Sequence, residues 1–154
     1  SCMNTFPPPS TLKVAKPFLM LNLERRCEMK YLCLAHEEEA LFNAMPHEEW
    51  LALRQETLSY VEALKASGHL LATHALQSAS NGVLVRVRNQ RLVTTDGPFV
   101  ETKEQLGGYF LIEAHDFNEA LRIASQWPSA RLGTIEIRPI EETLREDSRY
   151  GDPS

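Results

Sequence analysis

The sequence predicts an α+β domain, an antiparallel sheet carrying two helices on one face. Three observations lead there. The segment VLVRVRNQRLV alternates and reverses about a two-residue turn, two other segments carry apolar residues at helical spacing, and each of these lies between strand-like runs. At 154 residues with 43% hydrophobic content, the chain is of a size for one domain.

Taken in order, Lys30 to His36 (KYLCLAH) is a short apolar run of strand character. Pro46 then opens a helix, where its missing N–H costs nothing, and Glu48 and Glu49 sit in the first turn, where the helix dipole favours negative charge. Trp50, Leu53, Thr57, Val61 and Leu64 form the expected buried stripe, and Gly68 ends the helix. His69 to Gln77 reads as a second strand. From Gly82 to Arg88, Val83, Val85 and Val87 share one face while Leu84, Arg86 and Arg88 share the other. Asn89-Gln90 turns the chain into a partner strand from Arg91 to Thr95, and Gly108 to Ala114 is the next strand. Asp116 and Glu119 make a capping box for a second helix with the face Phe117, Ala120, Leu121, Ala124 and Trp127, stopped by Pro128. Leu132 to Ile140 alternates as the last strand.

The resulting order, β-α-β-(β-hairpin)-β-α-β, is the split βαβ pattern of a ferredoxin-like fold. Helices on one sheet face leave the other uncovered, and packing against a second copy is the economical way to bury it. A net charge of −5 without a long basic run argues against a nucleic-acid surface. No apolar run is long enough to span a bilayer. Cys2, Cys27 and Cys33 are odd in number and without metal-type spacing, so they read as reduced thiols and point to the cytoplasm. No phosphate-binding loop, dinucleotide fingerprint, metal-spaced ligand set or nucleophile elbow is present, so cofactor-free chemistry is the expectation.

The most distinctive stretch is TDGPFVETKEQLGGYFLIEA, from Thr95 to Ala114. With the upstream VRVR and the closing LGTIEIRPI, it closely resembles the DGPF branch of the YCII-related proteins over residues 29 to 140. That resemblance implies a homodimer related to the dimeric α/β barrels, with a small-molecule cavity beside the sheet. Residues 1 to 28, with PPP at Pro7 to Pro9, lie outside the resemblance and are expected to contribute nothing to chemistry. In that segment Phe18-Leu19-Met20-Leu21 is too short for a signal-peptide core and lacks a small-residue cleavage site. Residues 141 to 154 read as a polar tail.

Asp96 heads the candidate catalytic residues, a carboxylate on a loop stiffened by Gly97 and Pro98; the alternative is a turn residue bonding its own loop. His36 and His74 have the parity of neighbouring leucines on their strands, and an imidazole there serves either as a pocket acid or base or as a structural hydrogen-bonding residue. Either would be oriented by Asp96 if the two met. His47, His69 and His115 read as surface residues. Arg86, Phe99, Tyr109 and Thr57 are candidate substrate contacts, the first three set against a solvated strand face, a core plug and a half-buried tyrosine. Smaller YCII-type proteins carry a histidine in the first helix as half of a proposed His–Asp pair. Here that position falls at Thr57, and threonine cannot act as a base near neutral pH, so the resemblance does not carry that activity over.

Two functions follow from these residues. One is a cofactor-independent lyase or isomerase acting on a small aromatic molecule through Asp96 with His74 or His36. The other is a non-catalytic ligand-binding or regulatory accessory protein, a role the resemblance links to extracytoplasmic-function sigma factors.

Overall fold

The computed structural model describes residues 28–142. The N-terminal segment, Cys2, Cys27 and all but the first two residues of the C-terminal tail lie outside the described residues.

Six strands and three α-helices follow one another in the order β1 (Met29–Glu37), α1 (Glu39–Ala44), α2 (His47–Ala66), β2 (Leu70–Ala75), β3 (Val83–Arg88), β4 (Arg91–Asp96), β5 (Gln105–Ala114), α3 (Phe117–Ser125) and β6 (Thr134–Pro139). Short 3-10 turns occupy Ala79–Asn81 and Pro128–Arg131. Four strands make an antiparallel sheet in the order β2-β5-β1-β6, and β3 and β4 form a separate hairpin. Strand β5 is slotted between β1 and β2, and β1 between β5 and β6. This is the doubly split βαβ arrangement of a ferredoxin-like α+β fold.

The central pair, β1 and β5, supplies the core by alternation. Tyr31, Cys33 and Ala35 are buried, as are Phe110, Ile112 and Ala114, with Cys33 opposite Phe110 and Tyr31 opposite Ile112. Against them pack Val61 and Leu64 of α2, Ala120, Ile123 and Ala124 of α3, and Trp127 just beyond it. The Trp127 and Phe110 rings stack with centroids 4.0 Å apart and planes 9° apart. Tyr60 meets Trp127 edge-on at 6.1 Å and donates its hydroxyl hydrogen to the Ile123 carbonyl at 2.7 Å, which ties the two helices together. Burial pushes the Cys33 thiol up to about 12, so it is an inert core group.

Local chemistry sets the element ends. Asp116 Oδ1 accepts the Glu119 N–H at 2.8 Å, the N-cap half of the expected capping box, while Glu119 Oε1 reaches the His115 N–H, one residue before the cap, at 3.2 Å. Gly68, at φ +80°, ends α2 in a Schellman turn whose His69 N–H reaches the Leu64 carbonyl at 3.0 Å. Asn89 and Gln90 take φ values of 50° and 64°, as a two-residue hairpin turn requires.

Two helical stripes differ from expectation. Trp50 is 40% exposed, although Val61 and Leu64 are buried as expected. A helix of 20 residues is about 30 Å long and overhangs the sheet, so only its C-terminal half finds strands beneath it. In α3 the sheet-facing positions are Ala120, Ile123, Ala124 and Trp127, while Phe117 and Leu121 stay largely exposed. Phe117 instead leans edge-on against Tyr31 at 5.9 Å. The short helix α1 has no counterpart in the sequence reading.

All this packing is on one face of the sheet. On the other lie Leu32, Leu34 and His36 of β1, Tyr109 and Leu111 of β5, and Glu136 and Arg138 of β6, with no helix over them among the described residues. No helix there is long and apolar enough to cross a membrane.

Replacing Phe110 with alanine removes the centre of the stack. The expected loss is about 3–5 kcal/mol, read as a lower urea midpoint at unchanged slope. Glu37 gives a pH-dependent prediction. Burial raises its pKa above the ordinary carboxylate value, against a smaller opposing pull from the Ser129 hydroxyl, which is itself buried without a well-aligned partner. The folded state therefore holds the proton more tightly than the unfolded chain. Stability is fully present below the ordinary carboxylate value and declines as pH rises through it toward the raised folded value. Glu37→Gln should thus be more stable than wild type at about pH 7, with the gap closing near pH 4, checked by denaturation midpoints at both.

Candidate functional site

A register break in the central pair shapes the site. Ala35 pairs with Gly108, but His36 pairs with Leu106, leaving Gly107 as an extra residue on β5. A Cβ on Gly107 would meet the Glu37 carboxylate, which would have to swing aside to admit a side chain. The extra residue reverses the parity of β5 beyond it and brings Leu106 onto the same side as His36.

Both residues line an open cleft of about 590 Å³ at this end of the sheet. Its other walls are Leu76 to Ala79 after β2, Asn81 to Leu84 entering the hairpin, and Gly97-Pro98-Phe99-Val100 after β4, closed by Thr102, Glu104 and Gln105. The DGPF loop is therefore a wall of the cleft. It is held from within: the Gly97 N–H donates to the Gly82 carbonyl at 2.8 Å, and Gln105 Nε2 donates to the Val100 and Thr102 carbonyls at 2.7 and 3.0 Å.

His36 is the one histidine on this wall. Its Nε2 lies 3.0 Å from Glu136 Oε1. An ionised carboxylate only accepts, so the proton of that contact belongs to Nε2, and Nδ1 is left as the basic nitrogen of a neutral ring. Glu136 is a partner the sequence reading did not single out. The alternation of β6 carries the signal, since TIEIRP places Glu136 and Arg138 on the face opposite Ile135 and Ile137.

The other sequence-predicted residues fall in different places. Asp96 ends β4 opposite Val83, exposed, and its carboxylate makes no hydrogen bond or ion pair among the described residues. It precedes the cleft wall without lining it, and neither His36 nor His74 is hydrogen-bonded to it. The His74 imidazole instead pairs through Nδ1 with the Tyr109 hydroxyl at 2.8 Å. Register places His74, Tyr109, Leu34 and Glu136 in one row across β2, β5, β1 and β6. At ordinary strand spacing the row's ends are about 14 Å apart, so the two polar couples occupy opposite edges of the uncovered face. Arg86 is half-buried on β3 opposite Val93, outside the cleft lining and without an ion pair among the described residues. Phe99 stands on the cleft lip, 78% exposed. Thr57 is on α2, on the other side of the sheet from His36, with its hydroxyl donating to the Leu53 carbonyl at 2.8 Å.

One further cluster has the outline of a hydrolytic triad. The Ser67 hydroxyl lies 2.7 Å from His69 Nδ1, and His69 Nε2 lies 3.1 Å from Glu119 Oε1. Ser67 also donates to the Leu64 carbonyl at 3.0 Å, so its hydrogen is engaged in closing the end of α2. With Glu119 serving the cap of α3, the cluster fastens two helix ends, and His69 is half-buried rather than a surface residue. Among the described residues no group of three or more His, Cys, Asp and Glu side chains is arranged to hold a metal ion.

An uncharacterized protein of Rhizobium meliloti (strain 1021) is 29% identical over 114 residues, a match that covers 73% of this chain and 92% of that protein. The model of the YCII-related domain matches residues 29–144, three quarters of the chain. The protein belongs to the YCII-related family.

Proposed function

We propose that this protein is a cofactor-independent enzyme of lyase or isomerase type, acting on a small molecule bound beside the DGPF loop. The observation that carries the reading is the His36–Glu136 couple on the wall of a largely apolar cleft. A base near neutral pH needs a free lone pair, a fixed orientation and support for the charge it gains. Nδ1, the Nε2 contact and the Glu136 carboxylate supply these in turn. Nδ1 takes a proton from an acidic C–H or O–H of the substrate, and Glu136 stabilises the imidazolium so formed. The proton then returns to another atom of the same molecule in an isomerisation, or remains while a leaving group departs in an elimination. Asp96, adjacent to the wall, stays a candidate second group, and His74 with Tyr109 a candidate pair at the far edge of the sheet.

A second copy of the chain packed on the uncovered face fits this reading. It would bury Leu32, Leu34 and Leu111 and shield both polar couples from water. A regulatory role, including sigma-factor association, draws support from a different feature. The hairpin presents Val83, Val85, Val87 and Leu92, each more than half exposed, as a continuous apolar face suited to protein contact.

A thermal-shift screen of small aromatics is the entry to the test, since a ligand at about a hundred times its Kd stabilises the native state by roughly 2.7 kcal/mol. With a turned-over hit in hand, His36→Asn should lower kcat by about a hundredfold or more with the fold intact. Unchanged turnover in that variant would remove His36 from the mechanism, and the same assay on Asp96→Asn decides the role of Asp96. Sedimentation should give a dimer that Leu32→Glu converts to monomer; a monomeric wild type would end the shielding argument.

A further inference from the structure

The charged groups of the cleft wall are few and of one sign among the described residues. Its lining includes seven leucine, valine, proline and phenylalanine residues, with side-chain amides from Gln77, Asn81 and Gln105, and among the described residues it contains neither lysine nor arginine. The lysine of the neighbouring loop, Lys103, lies 3.8 Å from the Glu38 carboxylate and is matched by it. Arg86, Arg88 and Arg91 belong to the hairpin strands and are absent from the lining. An anionic ligand would find no cation in this wall.

The acids around the cleft are in different circumstances. Glu39 accepts hydrogen bonds from the Ser78 hydroxyl at 2.8 Å and the Ala79 N–H at 2.7 Å, and Glu136 faces His36. Glu104 lines the cleft half-buried, and its carboxylate has no donor among the described residues. Its backbone is fixed, because the Thr102 hydroxyl donates to its carbonyl and the next residue, Gln105, is bonded back to Val100 and Thr102. With its backbone fixed and no donor among the described residues, the Glu104 carboxylate beside these apolar walls is left to accept from a donor that those residues do not provide.

We propose that the cleft takes a small molecule with an apolar body and a cationic amine head, that Glu104 holds the amine, and that carboxylates and phosphates of the same shape are rejected. This rests on the cleft being the ligand site. The apolar body lies along Leu76, Val83, Leu84, Phe99 and Leu106, and a primary ammonium offers Glu104 a charge-assisted hydrogen bond.

Three probes with one body separate the contributions: phenethylamine, 2-phenylethanol and phenylacetate, titrated calorimetrically into wild type, Glu104→Gln and Glu101→Gln. Glu101 is on the same loop outside the lining and serves as the control. Wild type should bind phenethylamine about tenfold or more tightly than phenylacetate, a difference that shrinks with added salt. Glu104→Gln should remove most of that advantage and leave 2-phenylethanol unchanged, while Glu101→Gln should match wild type. Phenylacetate binding as tightly as the amine, or an amine preference that survives in Glu104→Gln, overturns the charge assignment and leaves the cleft standing as a site. Binding of none of the three at millimolar concentration overturns the inference together with the reading of the cleft on which it rests.

Discussion

The pairing of β1 with β5 is the contact on which everything else depends. Neither strand is joined to the other by a local turn; the long helix α2, β2 and the whole hairpin intervene in sequence. Each split βαβ unit is closed only when the other unit inserts its central strand, so the two halves cannot form independently. The apolar residues facing the helices come mainly from this pair, and the Phe110–Trp127 stack anchors α3 to it. Non-local pairing of this kind costs loop-closure entropy before it yields any burial, which places its completion late in folding. The local devices that lower this cost are the N-cap at Asp116, the turn at Gly68 and the hairpin turn at Asn89-Gln90.

Polar chemistry is sorted by the same sheet. On the helix side the engaged groups fasten secondary structure: Tyr60 to a carbonyl of α3, and Ser67, His69 and Glu119 between two helix ends. On the uncovered side the couples link neighbouring strands and leave one atom of each ring unused. His36 with Glu136 is the example nearest the cleft. That asymmetry distinguishes a structural histidine from one available for proton transfer more sharply than residue type does.

Much of the fold was legible because the signals were local. Alternation in VLVRVR, the D-x-x-E cap and the Pro46-to-Gly68 helix limits each depend on a few adjacent residues, and each formed close to the expected place. What sequence periodicity could not convey was how far α2 extends past its sheet, which leaves Trp50 exposed, and which rotation of α3 meets the strands, which leaves Leu121 exposed. At the site, the DGPF loop announced itself and does form a wall of the cleft. The partner of His36 was not legible, because it lies a hundred residues away and depends on register between β1 and β6. His74 was singled out by its strand parity, and its partner Tyr109 was considered only separately.

The extra glycine in β5 divides the central ladder into two stretches of opposite parity. Toward Ala114 the ladder is continuous and every alternate side chain is committed to the interior. On the other side of Gly107 the inward and outward positions exchange, so the first residues of the strand answer to the cleft instead. Substitutions at Leu106, Gln105 or Glu104 can therefore reshape what the cleft accepts without disturbing the packing around Phe110. A single unpaired residue thereby uncouples the surface of the cleft from the packing of the interior.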